Sequence, residues 1–488
     1  MYQEIKNLVQ HSFIYWLGVI LAKVVGFLLI PVYTRYLTPA DYGTIELLFL
    51  TADIAALVIG MQISQGVFRF YHQYETQAEK DCLISTALIS MLVLGIVMAI
   101  GFNIFARPIT ILVFGSEDYI NYFRFYACVY PLNLIIEIPF SLIRIKKQSK
   151  LYVFLNFINF LLMISLNIFF IVYMGWGIWG VLISPAITFI VLAILLVSRT
   201  FLDVGLSFSF GMMKKVLKFS IPLVPTSLGM FVLHFSGRYF VKHFCSLSDV
   251  GVYSLGYKFG FILSAMVIQP FILIWQIYMY EIAKKPNASE IYGRVLTYFT
   301  FVLVFAGLLV SVPIHEVIKI MTTPAFHGAS TVVPLVAFAY ALSGMNVVFQ
   351  AGLLIKEKTH WISFITLVSA GLNLIANYFL VSSLGIMGAA ISTFVSFLFM
   401  ATMTLYFSFK VFPIHIEYIR IGKLAFVALL VMVISRYLEV GSLFYSLFLK
   451  TLLIPGFLIV LFLINFLNNA EKQKLLGIKR LVFGRFYA

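Results

Sequence analysis

Charge is what this sequence has least of. Only 11% of its 488 residues are Asp, Glu, Lys or Arg, whereas 62% are apolar and the mean hydropathy is +1.02. A water-soluble domain carries about a quarter charged residues, so water is not the main solvent of this chain. Cysteine is equally scarce: Cys82, Cys128 and Cys245 are scattered, without metal-type spacing, and read as small apolar fillers. HExxH, P-loop, nucleophile-elbow and CxxC patterns are all missing. Without a P-loop, any energy input is expected from ion gradients or substrate consumption rather than from ATP on this chain. The first apolar run is of full span length and lacks a small-residue cleavage motif, so it is expected to stay as a span rather than leave as a signal peptide.

What the chain does have is long apolar runs. At about 20 residues per crossing, they place spans near 12–33, 43–65, 83–105, 119–143, 151–173, 177–198, 217–242, 251–281, 291–313, 329–355, 360–382, 386–408, 420–437 and 445–467. The expected fold is therefore an all-α integral membrane protein of about 14 transmembrane helices. A net charge of +15 suggests nucleic acid at first sight, but its distribution argues otherwise. Most Lys and Arg, including the clusters Arg144–Lys150 and Lys214–Lys218, fall in the connections on the side that holds the N-terminus. That asymmetry is the positive-inside signature. It predicts a multi-pass protein of the plasma membrane with both termini cytoplasmic, and no nucleic-acid partner.

The chain is also written twice. Gly177 to Ser184 reads GIWGVLIS and Gly385 to Ser392 reads GIMGAAIS; the same offset separates Asp41-Tyr42-Gly43 from Asp249-Val250-Gly251. Duplicated helical units are how many secondary transporters build an alternately exposed site between two halves. Each copy has an even number of spans, so both enter in the same orientation, and two homologous six-helix bundles should enclose a central cavity. The division is residues 1–200 for the first bundle, 201–215 for a cytoplasmic linker, 216–410 for the second bundle, 411–467 for an added helix pair and 468–488 for a basic tail. The added pair suggests a lipid-facing groove, and the tail a surface helix near anionic headgroups. Pro222 and Pro225, which open the seventh span, read as a bend that accompanies alternation, or as ordinary kinks.

Ionisable residues inside spans are costly and are functional candidates by default. Lys23 and Asp53 lie near the middles of the first two spans, and Glu46 shares the face of Asp53 two turns nearer the outside. His234, Arg238 and Lys242 make a basic stripe in the seventh span; Lys258 lies in the eighth and Arg124 one turn into the fourth. Glu137 does not share the face of Arg124 and reads as a polar contact of the inner half. The competing readings are a structural Lys23–Asp53 pair, and snorkelling of Arg124, Arg238 and Lys242 to the outer surface.

The opening stretch, from Lys6-Asn7 through Gly18 and Gly26 to the turn RYLTPADYG (Arg35 to Gly43), resembles the polysaccharide-flippase family of the multidrug/oligosaccharidyl-lipid/polysaccharide exporter superfamily. Its echo FCSLSDVGVYS before the eighth span and the span count fit the same resemblance. The resemblance implies alternating-access transport of undecaprenyl-pyrophosphate-linked oligosaccharide from the cytoplasmic to the outer leaflet of the bacterial inner membrane, for O-antigen, capsule or another surface polysaccharide. Under that expectation Lys23, Arg124, Arg238 and Lys258 line a cationic cavity and replace the hydration of the diphosphate with charge-assisted hydrogen bonds. Glu46, Asp53 and His234 then balance charge or carry a coupling proton or sodium ion. No other cofactor, no metal and no catalytic residue is implied; membrane lipids and a polysaccharide polymerase of the same pathway are the expected partners. Two alternatives stay open: an ion-coupled multidrug or cation exporter of the same superfamily, and a polytopic polysaccharide polymerase or ligase.

Overall fold

The computed structural model describes residues 26–438, 441–468 and 471. Every regular element among them is helical, and thirteen helices are long and apolar enough to cross a membrane. The first of them, Pro39–Ile59, matches the second expected span, and the last, Leu443–Leu463, the fourteenth. Of the first expected span only the end is described, helical over 26–28 and again over Ile30–Tyr36. The expectations placed on Lys23 and on most of the 468–488 tail therefore lie outside the described residues.

Local chemistry explains where the spans begin. Thr38 and Asp41 close a capping box at the start of Pro39–Ile59, and Ser246 and Asp249 close its counterpart at the start of Leu247–Leu263. Each box satisfies backbone N–H groups that would otherwise be orphaned at a helix end. Helices also break where the sequence suggested. Phe210–Ser220 and Val224–Phe235 are joined by a tight turn over Ile221–Leu223 that contains Pro222. The eighth span runs on as one apolar stretch, Leu247–Ile282, with a widened turn at Ser264–Ile268 just before Pro270. Between the end of the sixth span at Val204 and the start of the seventh at Phe210, only 205–209 lie outside helix.

Consecutive spans are antiparallel, so their ends sort into two faces. One, here termed the basic face, carries Arg144, Lys146, Lys147 and Lys150; the opposite face carries the turns before Pro39 and Leu247. The largest apolar core runs through both halves. It joins Leu47, Leu48 and Tyr126 of the first to Val250, Tyr253 and Tyr340 of the second. The added pair has its own core, in which Leu424, Val427 and Phe457 pack on Val304 and Leu308 of the ninth span.

Candidate functional site at the seam between the halves

The second and eighth spans, repeat-related in sequence, cross at the opposite face. Glycine is required there: a Cβ added to Gly251 would stand 2.0 Å from the Pro39 carbonyl oxygen, and one on Gly43 would stand 2.1 Å from that of Leu247. Backbone thus lies directly on backbone, and the Asp-x-Gly of each copy is the other's packing surface. Farther into the membrane, Lys258 of the eighth span reaches across to the second. Its Nζ lies 2.5 Å from Glu46 Oε1 and donates to Tyr42 Oη at 2.7 Å, and sits 4.7 Å from the centre of the Tyr42 ring. Lys258 keeps 32% of its side-chain surface accessible and Glu46 12%, so this ion pair is only partly enclosed by protein. Thr51 and Tyr239 add an uncharged bond across the halves at 3.1 Å, and Thr323 donates to the Thr34 carbonyl at 3.0 Å.

Arg238, His234 and Asp53 each have a hydrogen-bond partner within their own half. Arg238 is 3% exposed. Its Nε donates to Ser254 Oγ at 3.1 Å and its Nη1 to the His234 carbonyl at 3.2 Å, while the guanidinium lies 4.3 Å from the Tyr257 ring centre. His234 stacks on Tyr340 and shares a 2.9 Å hydrogen bond between Nδ1 and the Tyr340 hydroxyl, which in turn meets the Tyr257 hydroxyl. In the first half, Tyr130 donates to Asp53 Oδ1.

Two expectations change. Arg238 neither snorkels to the surface nor faces an opening: Tyr253 and Tyr257, from the following span, fold over it and enclose it. Arg124 is exposed and makes no ion pair among the described residues, because Phe123, Tyr126, Ala127 and Tyr130 take the packed face of its helix. The structure therefore brings together Glu46 with Lys258 and His234 with Arg238, places Asp53 on Tyr130, and leaves Arg124 apart. The role of Tyr42 was not read from the sequence, although its place in the duplicated Asp41-Tyr42-Gly43 turn was the available signal.

Two cavities of interest lie away from the seam. One, of about 390 Å³, lies inside the first half toward the basic face, between the second, fourth, fifth and sixth spans; Glu137 and Arg144 are among its lining residues. There Glu137 accepts a 2.6 Å hydrogen bond from Ser64, the polar contact expected of it. The other, of about 500 Å³, is almost wholly apolar and lies between Val304, Phe338, Phe394 and Leu424, against the first helix of the added pair. That pair is pinned at both faces. Lys450 bonds Glu316 at 2.7 Å with both side chains buried, and Arg420 spans Glu417 and Glu471 at 3.0 and 2.9 Å.

Comparison with known proteins agrees with this geometry. A family profile described as "Polysaccharide biosynthesis protein" matches residues 8–274. The succinoglycan biosynthesis transport protein ExoT of Rhizobium meliloti is 21% identical over 247 residues, 50% of this chain and 47% of that protein; the chain thus spans about half the length of this curated relative. Among solved structures, the lipid II flippase MurJ in an inward closed conformation superposes with a TM-score of 0.76 at 13% identity, over 94% of this chain and 99% of that one. An inward-facing multidrug resistance MATE family transporter of the MOP superfamily gives 0.62 at 15% identity, over 86% and 95%. At such identities the likeness is one of fold.

Proposed function

The chain belongs to the polysaccharide biosynthesis protein family, and on that premise we propose that it is an alternating-access flippase for undecaprenyl-pyrophosphate-linked oligosaccharide. One observation carries the reading: a partly exposed ion pair, Glu46–Lys258, bridges the two halves beside a seam where their backbones meet at Gly43 and Gly251. A seam of backbone contacts is made or broken as a unit, since packed interfaces are bistable rather than continuously deformable. Parting the second and eighth spans removes Glu46 from Lys258 and leaves an ammonium that a pyrophosphate oxygen can take up. The substrate anion and Glu46 thus compete for one cation, which ties loading to the state of the seam. A proton or sodium ion on Glu46 would favour the same separation, and Asp53, held by Tyr130, and His234, stacked on Tyr340, are further candidates for the coupling ion.

The remaining geometry supports the same assignment. The apolar cavity beside the added helix pair is suited to a prenyl chain, which needs no polar partner. The basic face corresponds to the cytoplasmic side of a bacterial inner membrane by the positive-inside rule, so both termini are cytoplasmic and the glycine seam is the outer gate. Substrate would then be loaded from the basic face and handed to a polymerase outside.

The test is replacement of Lys258 by Ala and by Arg, reading surface polysaccharide together with lipid-linked precursor. Lys258→Ala should abolish display and accumulate precursor at wild-type protein level, with partial recovery in Lys258→Arg. Normal display in Lys258→Ala would remove this assignment.

A further inference from the structure

We infer that the first-half cavity is a saccharide subsite, which holds one pyranose ring of the glycan through side-chain amides while the diphosphate engages elsewhere. The inference rests on the flippase reading for its substrate and on the cavity itself for its location. At about 390 Å³ the space falls within the range of small-molecule sites, and it is far larger than the shell of a single bound cation. Its polar lining is unusual for a helical bundle in a membrane. Gln62, Asn133, Asn156 and Asn159 come from three different spans or their ends and converge on one volume. Amides offer two donors and an acceptor each, which matches the hydroxyls of a sugar, every one of them both donor and acceptor. Carboxylates or cations alone would not match that pattern.

Three details show a built site rather than a gap. Asn159 Oδ1 is buried without a hydrogen-bond partner among the described residues, and such an atom in apolar surroundings costs roughly 1–3 kcal/mol. Asn156 is 8% exposed, with its amide nitrogen held on the Tyr152 carbonyl at 2.8 Å, so its side chain is fixed in orientation. Gln62 and its neighbour Met61 both adopt left-handed backbone, φ 54° and 47°, where the second span ends. Two consecutive non-glycine residues in that region store strain of the kind that gathers at ligand clamps. Tyr130 and Tyr152 supply ring surface for the apolar face of a sugar. The lone carboxylate, Glu137, is already engaged by Ser64 and is balanced by Arg144 on the same wall, which disfavours both a strongly anionic ligand and a bare cation.

The experiment is saturation-transfer NMR on the whole protein in nanodiscs with four methyl glycosides, those of glucose, galactose, N-acetylglucosamine and rhamnose, repeated with sodium chloride varied at fixed ionic strength. At least one glycoside should show transfer, and Asn133→Leu and Asn159→Leu should each weaken its binding by roughly tenfold, the loss of one or two hydrogen bonds. Lys258→Ala should leave it unchanged. Asn133 is exposed and lines the cavity, so its replacement keeps the test valid if Asn159→Leu destabilises the protein. No transfer from any of the four, or transfer untouched by both Asn variants, overturns the subsite, as does a sodium-dependent response confined to Glu137 with no glycoside bound. The two readings fail separately: loss of display in Lys258→Ala with no glycoside bound removes the subsite alone, whereas Asn-dependent binding with normal display in Lys258→Ala removes the flippase assignment alone.

Discussion

Replacing Gly251 with Ala puts the gate to a direct test, because the added methyl has only one place to go. Its carbon would lie 2.0 Å from the Pro39 carbonyl oxygen, against about 3.3 Å for the closest normal C···O contact. The second and eighth spans must therefore separate by roughly 1.3 Å or the closed arrangement must be abandoned. Overpacking of this kind costs about 1–3 kcal/mol, and the cost falls on the closed state alone. The closed population should then drop by about five- to 150-fold relative to the open one. Intrinsic helix propensity works the other way, since Ala is better than Gly by about 1 kcal/mol inside a helix, so any loss must come from the contact and not from the helix. Spin labels at Arg35 and His243, both exposed at the opposite face, would report the seam by pulsed dipolar spectroscopy. Gly251→Ala should lengthen the main distance and lower polysaccharide display at normal protein level. Gly43→Ala should do the same, and the double variant little more, because both methyls occupy one contact. Unchanged distances and full display in both single variants would refute the gate.

Other outcomes follow from the charges. Asp53→Asn should impair transport and alter its pH or sodium response in a vesicle uptake assay; an unchanged ion response would leave Asp53 as a structural partner of Tyr130. Lys450 and Glu316 are 3% and 2% exposed, so Lys450→Met should destabilise by about 3–5 kcal/mol through the stranded carboxylate, visible as a lower Tm in detergent. Adding Glu316→Met should restore most of that loss. Burial alone would raise the Glu316 carboxyl, but hydrogen bonds from Lys450 and Ser446 hold it below the usual carboxylate range. A lowered folded value contributes stability that is complete above the unfolded value of about 4.3 and fades as pH falls through the folded one. Wild-type Tm should therefore lose more than that of Glu316→Gln as pH drops below about 4; parallel curves would contradict the pairing.

The membrane architecture was legible because the bilayer imposes it. A crossing needs an apolar run of fixed length, and thirteen such runs are helices here. The capping boxes in Thr38-Pro39-Ala40-Asp41 and Ser246-Leu247-Ser248-Asp249 are equally local, four-residue patterns, although the sequence showed them only as a turn and its echo. Pairing was not legible. Glu46 and Lys258 meet only because two repeat-related helices cross at glycine, and helical phase within one span cannot supply that. Arg238 illustrates the same limit: its stripe with His234 and Lys242 is real in sequence, yet its surroundings are set by Tyr253 and Tyr257 on the next span. Attention to formal charge also passed over Asn133, Asn156 and Asn159, which are uncharged but just as hard to place in hydrocarbon without partners.

Sorting the polar contacts by half separates those that must change during transport from those that need not. Asp53–Tyr130 lies in the first half and His234–Tyr340–Tyr257 with Arg238 in the second, so rigid movement of the halves leaves both intact. Glu46–Lys258, Tyr42–Lys258 and Thr51–Tyr239 cross the seam and cannot survive its opening. Coupling between two residues exists only in the state where they touch. A double-mutant cycle of Glu46→Gln with Lys258→Met, read on the spin-label distance, should therefore show an interaction energy in the wild-type seam and none when Gly251→Ala holds it apart. The same cycle on Tyr130→Phe with His234→Gln should be additive in both backgrounds. Interaction between Glu46 and Lys258 that persists at full strength in the Gly251→Ala background would mean that the pair moves with one half, and that the seam is not where the protein opens.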